Sequence, residues 1–320
     1  RFAAECLAFA NLPMPDAMPV SDPEGADWAA LVVRDLKADW DFEDVRDHYT
    51  ALLYGVDPTA MKAAEPARYL RLAAATSGEV MEAAFAEWRR AGSCTTGALV
   101  WTLNDVAPGF GWGVLDHRGQ PKPVWYALRR AFRPLQLILT DEGLDGLAVH
   151  LLNETAEVRA VRVTLTAYGS DGLPVIAGER TVALPPRSVE ALSSAVLFGV
   201  FFDVTHAYRF GPPAHGVTVA RMTDAVTGED IADAVHFPHG RGAVMADPCL
   251  TVVAGRDEAG PYVDLSCARL AQSVMLAAPG FEPEDNGFHC PPGVRRIRLA
   301  GTGIPSGTAF ALNADAPVAF

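Results

Sequence analysis

Basic charge, cysteine and long apolar runs are what this 320-residue chain has little of, and each shortage removes a class of function. Lys and Arg number 26 against 39 Asp and Glu, a formal charge of −13 at pH 7. Affinity for nucleic acid comes largely from cations that neutralise phosphates, so no nucleic-acid partner is expected. The longest apolar run, residues 195–202, falls far short of the roughly 18–20 residues that cross a bilayer, so no membrane partner is expected either. The five cysteines, Cys6, Cys94, Cys249, Cys267 and Cys290, form an odd set without Cys-x-x-Cys spacing. That argues against a disulfide framework or a zinc site. The best candidate for an exception is Cys249 with Cys267, whose separation suits two strands of one sandwich. His236-Phe237-Pro238-His239 has a metal-like spacing but no third ligand nearby in sequence, and a loop between domains is the better account.

What is present is unevenly spread. All six tryptophans lie at or before Trp125, and the period of the apolar residues changes near Pro134. Ahead of that point it is helical. Asp41 can cap a helix with apolar positions Phe42, Val45, Tyr49, Leu52 and Leu53, closed by Gly55 and Pro58. A longer helix is predicted from Pro66, with Leu70, Ala73, Ala74, Ser77, Val80, Met81, Ala84 and Trp88 on one face. Arg89 and Arg90 form its basic end, Gly92 its cap, and Glu79, Glu82 and Glu87 its solvated side. A short strand over 98–103, a glycine-rich loop and a helix over about 121–132 follow. Beyond Pro134 the period is two, with Leu147, Val149 and Leu151, then Val161, Val163, Leu165 and Ala167, as inward positions. The expected organisation is an α/β domain over 1–133 and two β-sandwiches over 134–240 and 241–320, with no long helix after residue 145.

Two stretches carry the chemistry. One is Gly97-Ala98-Leu99-Val100-Trp101-Thr102-Leu103-Asn104-Asp105, followed by Pro108, Trp112 and Lys122-Pro123-Val124-Trp125-Tyr126-Ala127-Leu128. A strand ending in an aromatic and then Asn-Asp sets a flat apolar surface beside hydrogen-bonding groups, the combination a sugar ring needs. The other is Arg1-Phe2-Ala3-Ala4-Glu5-Cys6-Leu7-Ala8-Phe9-Ala10-Asn11-Leu12-Pro13. Together they resemble the last quarter of the catalytic barrel of glycoside hydrolase family 2, closest to its β-mannosidase branch. Glu284-Asp285-Asn286-Gly287-Phe288 and Pro291-Pro292-Gly293 resemble a turn of that branch's terminal immunoglobulin-like domain.

The resemblance implies the C-terminal part of a (β/α)8 TIM barrel followed by two immunoglobulin-like β-sandwich domains, and a retaining hydrolase without metal or organic cofactor. Such enzymes set a nucleophilic carboxylate and a general acid about 5–5.5 Å apart. It assigns Glu5 as nucleophile and Trp101 as the floor of the sugar subsite. Asn104 and Asp105 could bind substrate or cap the exit loop, and Trp112, with Asp116, could contact substrate or pack a turn. The implied substrate is an oligosaccharide or simple β-mannoside. Because Arg1 opens the chain beside the nucleophile strand, the implied partner is an N-terminal part of the same enzyme that carries the general acid, and this stretch alone is expected to be inactive. Ala4 and Cys6-Leu7 depart from the family's residues around the glutamate, as do Thr102 and Ala107 on the exit loop, which reshapes the leaving-group side. Other family 2 exo-β-glycosidases (glucosaminidase, galactosidase, glucuronidase) and a noncatalytic carbohydrate-binding or structural protein are the alternatives. An Asn-Glu pair at an upstream strand end would separate enzyme from noncatalytic relative.

Overall fold

The computed structural model describes residues 1–14, 17, 18, 28–35, 37–243 and 246–320. They divide into two compact units, the first made of residues 1–83, 96–129 and 245–320 and the second of residues 84–95 and 130–244.

The first unit begins with β1 (Phe2–Cys6), α1 (Trp28–Leu31), α2 (Phe42–Tyr54), α3 (Pro58–Ala64) and α4 (Pro66–Arg89), whose last residues belong to the second unit. β2 (Gly97–Val100) and α5 (Pro123–Ala131) follow. β1 and β2 form a two-stranded parallel sheet, and no barrel closes around it among the described residues. At the start of α2, Asp41 accepts the Glu43 N–H at 3.2 Å while Asp44 returns to the Asp41 N–H at 3.0 Å, and Gly55 ends the helix at φ 66°. These are the predicted ends, closed by reciprocal capping bonds and a left-handed glycine. The predicted inward face holds only in part: Phe42 and Leu53 pack against the core, but Leu52 does not. Leu52 is 68% exposed, and the buried residues are Glu43, Arg46, Thr50 and Tyr54. Polar groups turn inward where they meet partners, as Thr50 does with Thr76 at 2.9 Å and Arg46 with Glu43 at 3.3 Å. Asp57-Pro58 starts α3 instead of merely ending α2, with the Asp57 carboxylate accepting the Thr59 and Ala60 N–H groups.

Positions 72–79 of α4 are buried without interruption, so this middle stretch of the helix has neighbours on all sides and not on one face. Glu79 is therefore not solvated. It lies 2.9 Å from the His289 ring nitrogen and accepts the Ser273 hydroxyl at 3.2 Å.

The remainder of the first unit is all β: β10 (Thr251–Asp257), β11 (Gly260–Cys267), β12 (Ala271–Ala277), β13 (Glu282–Pro283), β14 (Phe288–Cys290), β15 (Gly293–Ala300), β16 (Thr308–Phe310) and β17 (Val318–Ala319). They make two sheets ordered β10-β11-β15-β13 and β14-β12-β16-β17 around one core that includes Val263, Leu265, Val274, Leu276, Phe288 and Ile297. Met275 packs instead with Tyr69, Leu70 and Ala73 of α4, and Arg71 lies 4.2 Å over the Phe310 ring. Shared burial of this kind groups residues 245–320 with the helices. Within this region the candidate exception, Cys249 with Cys267, is not paired: both are free thiols, Cys249 is exposed and Cys267 sits beside Cys290.

The second unit holds β3 (Leu135–Asp141), β4 (Leu147–Asn153), β5 (Arg159–Tyr168), β6 (Pro174–Leu184), β7 (Ser188–Ser193), α6 (Ser194–Phe198), β8 (Val217–Asp224) and β9 (Asp230–His236). Its antiparallel sheets, β3-β4-β7 and β6-β5-β8-β9, share a core containing Val149, Leu151, Val161, Val163, Leu165 and Met222. The period-two pattern places this core correctly: Val161, Val163, Leu165 and Ala167 are fully buried while the residues between them are not. The first half of the longest apolar run, residues 195–198, lies in the five-residue α6, capped by Ser193 and ended by Gly199. No described helix is long and apolar enough to cross a membrane.

Candidate active site

β1 pairs with β2 in parallel, Phe2 opposite Gly97, Ala3 opposite Ala98 and Cys6 opposite Val100, with the register slipping between Ala3 and Cys6. Glu5 stands in that irregularity, near the C-terminal end of β1, and is exposed. Sheet irregularities bend a strand and re-aim the side chain they carry. Two residues on, Leu7 adopts a left-handed φ of 59°, uncommon for leucine and sustained only where neighbours impose it. On the adjacent strand the Trp101 N–H donates to the Cys6 carbonyl at 3.0 Å, so Trp101 leaves β2 directly beside the end of β1. Trp101 is 43% exposed, its ring centroid 6.3 Å from that of Trp112, which in turn meets Phe42 at 4.9 Å. The Trp101–Thr102 peptide bond is cis.

The segments after β1 and β2 are held by buried polar groups. Lys122 is fully buried, and its ammonium lies 2.5 Å from the Asp105 carboxylate while donating to the carbonyls of Asn11 at 2.9 Å and Gly111 at 3.3 Å. Burial pulls its pKa below the ordinary lysine value, and Asp105 opposes that shift. The Asn11 amide donates to the Trp112 carbonyl at 2.9 Å, and its backbone N–H to Gly111 at 2.9 Å. Arg46, also fully buried, donates to the Ala10 carbonyl at 2.8 Å and pairs with Glu43 and Asp47. Desolvation would lower its pKa, but the Tyr69 hydroxyl and the two carboxylates more than offset this, leaving it raised.

These contacts sort the sequence-derived candidates. Asp105 is buried, with one oxygen accepting the Gly113 N–H at 2.7 Å and the other against Lys122. Both contacts tie it to the loop that carries Trp112. Gly111 and Gly113 are needed because a Cβ at either would collide with Asp105 or its backbone. Asn104 is exposed and donates to the Asp105 carbonyl at 3.0 Å. Asp116 organises its own turn, accepting the Arg118 and Gln120 N–H groups at 2.8 and 2.9 Å. Burial would raise its pKa, but those N–H groups and the Arg118 guanidinium bring it below the usual carboxylate range. Glu5, Trp101, Asn104 and Trp112 thus belong to one strand-end and loop region. Sequence reasoning missed Asn11, Lys122 and Arg46. The first two carried a signal: a lone amide inside Phe9-Ala10-Asn11-Leu12 and a lysine between two prolines.

His236 lies elsewhere, at the end of β9, with its ring nitrogen 3.6 Å from Asp141. Among the described residues no group of three or more His, Cys, Asp or Glu is arranged to hold a metal.

The geometry is thus a parallel strand pair with a carboxylate and an indole at its end, in a chain that also holds two-sheet units. No family model matches the chain. In sequence it is 33% identical over 85 residues to β-mannosidase B of Emericella nidulans, and 32% identical over the same length to that of Aspergillus niger. That stretch covers 26% of this chain, which spans only 10% of those relatives' length. In fold it resembles the β-D-mannosidase of Dictyoglomus thermophilum (TM-score 0.73, 18% identity), covering 94% of this chain and 36% of that one. The exo-chitosanase of Amycolatopsis orientalis gives 0.67 at 13% identity, covering 100% of this chain and 42% of that one. The chain is a relative of the glycoside hydrolases. Over the matched 85 residues it is homologous to β-mannosidases, and its fold resembles parts of a β-mannosidase and an exo-chitosanase.

Proposed function

We propose that this chain carries the nucleophile side of a retaining exo-β-glycosidase that releases terminal β-linked mannose. The observation that supports this best is the placement of Glu5 and Trp101 at the ends of neighbouring parallel strands. In this proposal the Glu5 carboxylate attacks the anomeric carbon as the bond to the aglycone oxygen breaks. That oxygen takes a proton from a general acid on polypeptide outside the present sequence. Water then cleaves the glycosyl ester, and two inversions leave the configuration retained. Trp101 stacks on the C–H face of the sugar, Trp112 extends that apolar wall, and Asn104 offers its exposed amide to hydroxyls. Asp105 is assigned a positioning role through the loop it anchors.

The same proposal reads β1, β2 and the helices of the first unit as the last portion of a (β/α)8 barrel, and the two-sheet units as immunoglobulin-like sandwiches. Domain limits of 1–133, 134–240 and 241–320 follow from it. Mannose is preferred over glucosamine, galactose or glucuronic acid because the relatives matched in sequence are named β-mannosidases.

The test is turnover of a panel of aryl-β-glycosides by the full-length protein, with mannoside expected fastest. Faster turnover of another sugar would overturn the specificity. Glu5→Ala should cost at least about a thousandfold in kcat with folding unchanged, and azide should restore turnover to give the α-mannosyl azide. Retention of a tenth of wild-type activity would remove Glu5 from the chemistry.

A further inference from the structure

We propose that Cys267 and Cys290 form a covalent cross-linking site, a dithiol set to close as a disulfide between the two sheets of the C-terminal sandwich. Cys267 ends β11 opposite Gly293 of β15, and Cys290 ends β14 opposite Ala271 of β12, so the residues belong to different sheets. Their sulfur atoms are 3.8 Å apart and unbridged, at 5% and 1% exposure. A disulfide holds its sulfurs at about 2.05 Å, so closure needs less than about 2 Å of travel within reach of side-chain rotation. The Cys267 thiol already turns toward the short turn that carries Cys290, donating to the carbonyls of Cys290 at 3.3 Å and Pro291 at 3.2 Å. Hydrogen bonding with the Cys290 thiol also brings the Cys267 pKa below the ordinary value, against the effect of burial. That favours the thiolate, the attacking species.

The co-reactant is a low-molecular-weight disulfide such as oxidised glutathione. One cysteine thiolate attacks a glutathione sulfur and expels a glutathione thiolate; the second cysteine then attacks the mixed disulfide and expels the other. Two electrons pass to glutathione, and the two cysteine protons end on the released thiols.

The experiment refolds the whole chain from denaturant in a glutathione couple, then alkylates it under denaturing conditions and maps the peptides by mass. Alkylatable cysteines should fall from the five present to about three, with a reducible peptide joining residues 267 and 290. The thermal midpoint should rise by several degrees, and Cys267→Ser should abolish both changes while leaving Cys290 fully alkylated. Full alkylation of both residues across all couple ratios would overturn the proposal. So would a bridge from Cys267 to Cys249.

Discussion

β5 and β1 are held in place in opposite ways. β5 is paired with β6 at ten positions and buries Val161, Val163, Leu165 and Ala167 completely. β1 is paired with β2 at three positions, and Phe2 and Leu99 of this pair are each 58% exposed. In the sandwich, alternation of side chains specifies the register, because a slip by one residue would move the apolar set to the wrong side. Around β1 the positioning comes from buried cations on backbone carbonyls, Lys122 on Asn11 and Gly111, and Arg46 on Ala10. The region that carries the candidate chemistry is thus fixed by polar anchoring and the β-rich unit by apolar packing.

Substitutions can break that contrast. Lys122→Met should have the largest effect, destabilising the first unit by about 3–5 kcal/mol in denaturant titration, because it leaves the Asp105 carboxylate buried without its cation. Adding Asp105→Asn should recover part of the loss. A cost under about 1 kcal/mol would show that the anchoring is incidental. Leu165→Ala should cost about 2–5 kcal/mol in the unfolding of the second unit while leaving kcat/KM of the full-length protein unchanged at assay temperature.

A smaller effect is pH-dependent. Burial, with neighbouring His239 contributing, holds the His215 and His236 pKa values at about 4, against the partial support of Asp203 for the first and Asp141 for the second. His206 adds to the depression at His215, and Arg241 to that at His236. In the unfolded chain both return to about 6.5, so between these values the unfolded state binds more protons. Stability of the second unit should therefore be level above about pH 7 and fall by roughly 1 kcal/mol per histidine between pH 7 and 5.5. Urea titrations across this range should show the slope, and His215→Asn should reduce it. The smallest effect belongs to Leu52→Ala, which should change stability by less than about 0.5 kcal/mol because its side chain is exposed.

Leu52 also marks where the sequence stops being readable. The ends of α2 were legible, since Asp41 and Gly55 act through local capping chemistry. Its inward face was legible only in part, in Phe42 and Leu53, because Arg46 is buried by carbonyls and carboxylates that only the fold assembles. The β5 pattern was legible for the opposite reason: its period is imposed by the strand itself. Glu79 was misplaced because the middle stretch of α4 has neighbours on every side, and a one-sided periodicity cannot represent that. At the site, the strand-end placement of Glu5 and Trp101 followed from the resemblance and the spacing. The loop's true anchors did not, as Lys122 and Asn11 are 111 residues apart in sequence.

The proposed mechanism requires the glycosyl group to be carried on Glu5. The most direct measurement treats the full-length protein with a 2-deoxy-2-fluoro-β-mannosyl fluoride, which slows hydrolysis of the intermediate, and maps the labelled peptide by mass. One fluorosugar per chain is expected, esterified to Glu5 and lost together with recovery of activity. A label on any other carboxylate, or inactivation-free turnover with no label at Glu5, would contradict that mechanism.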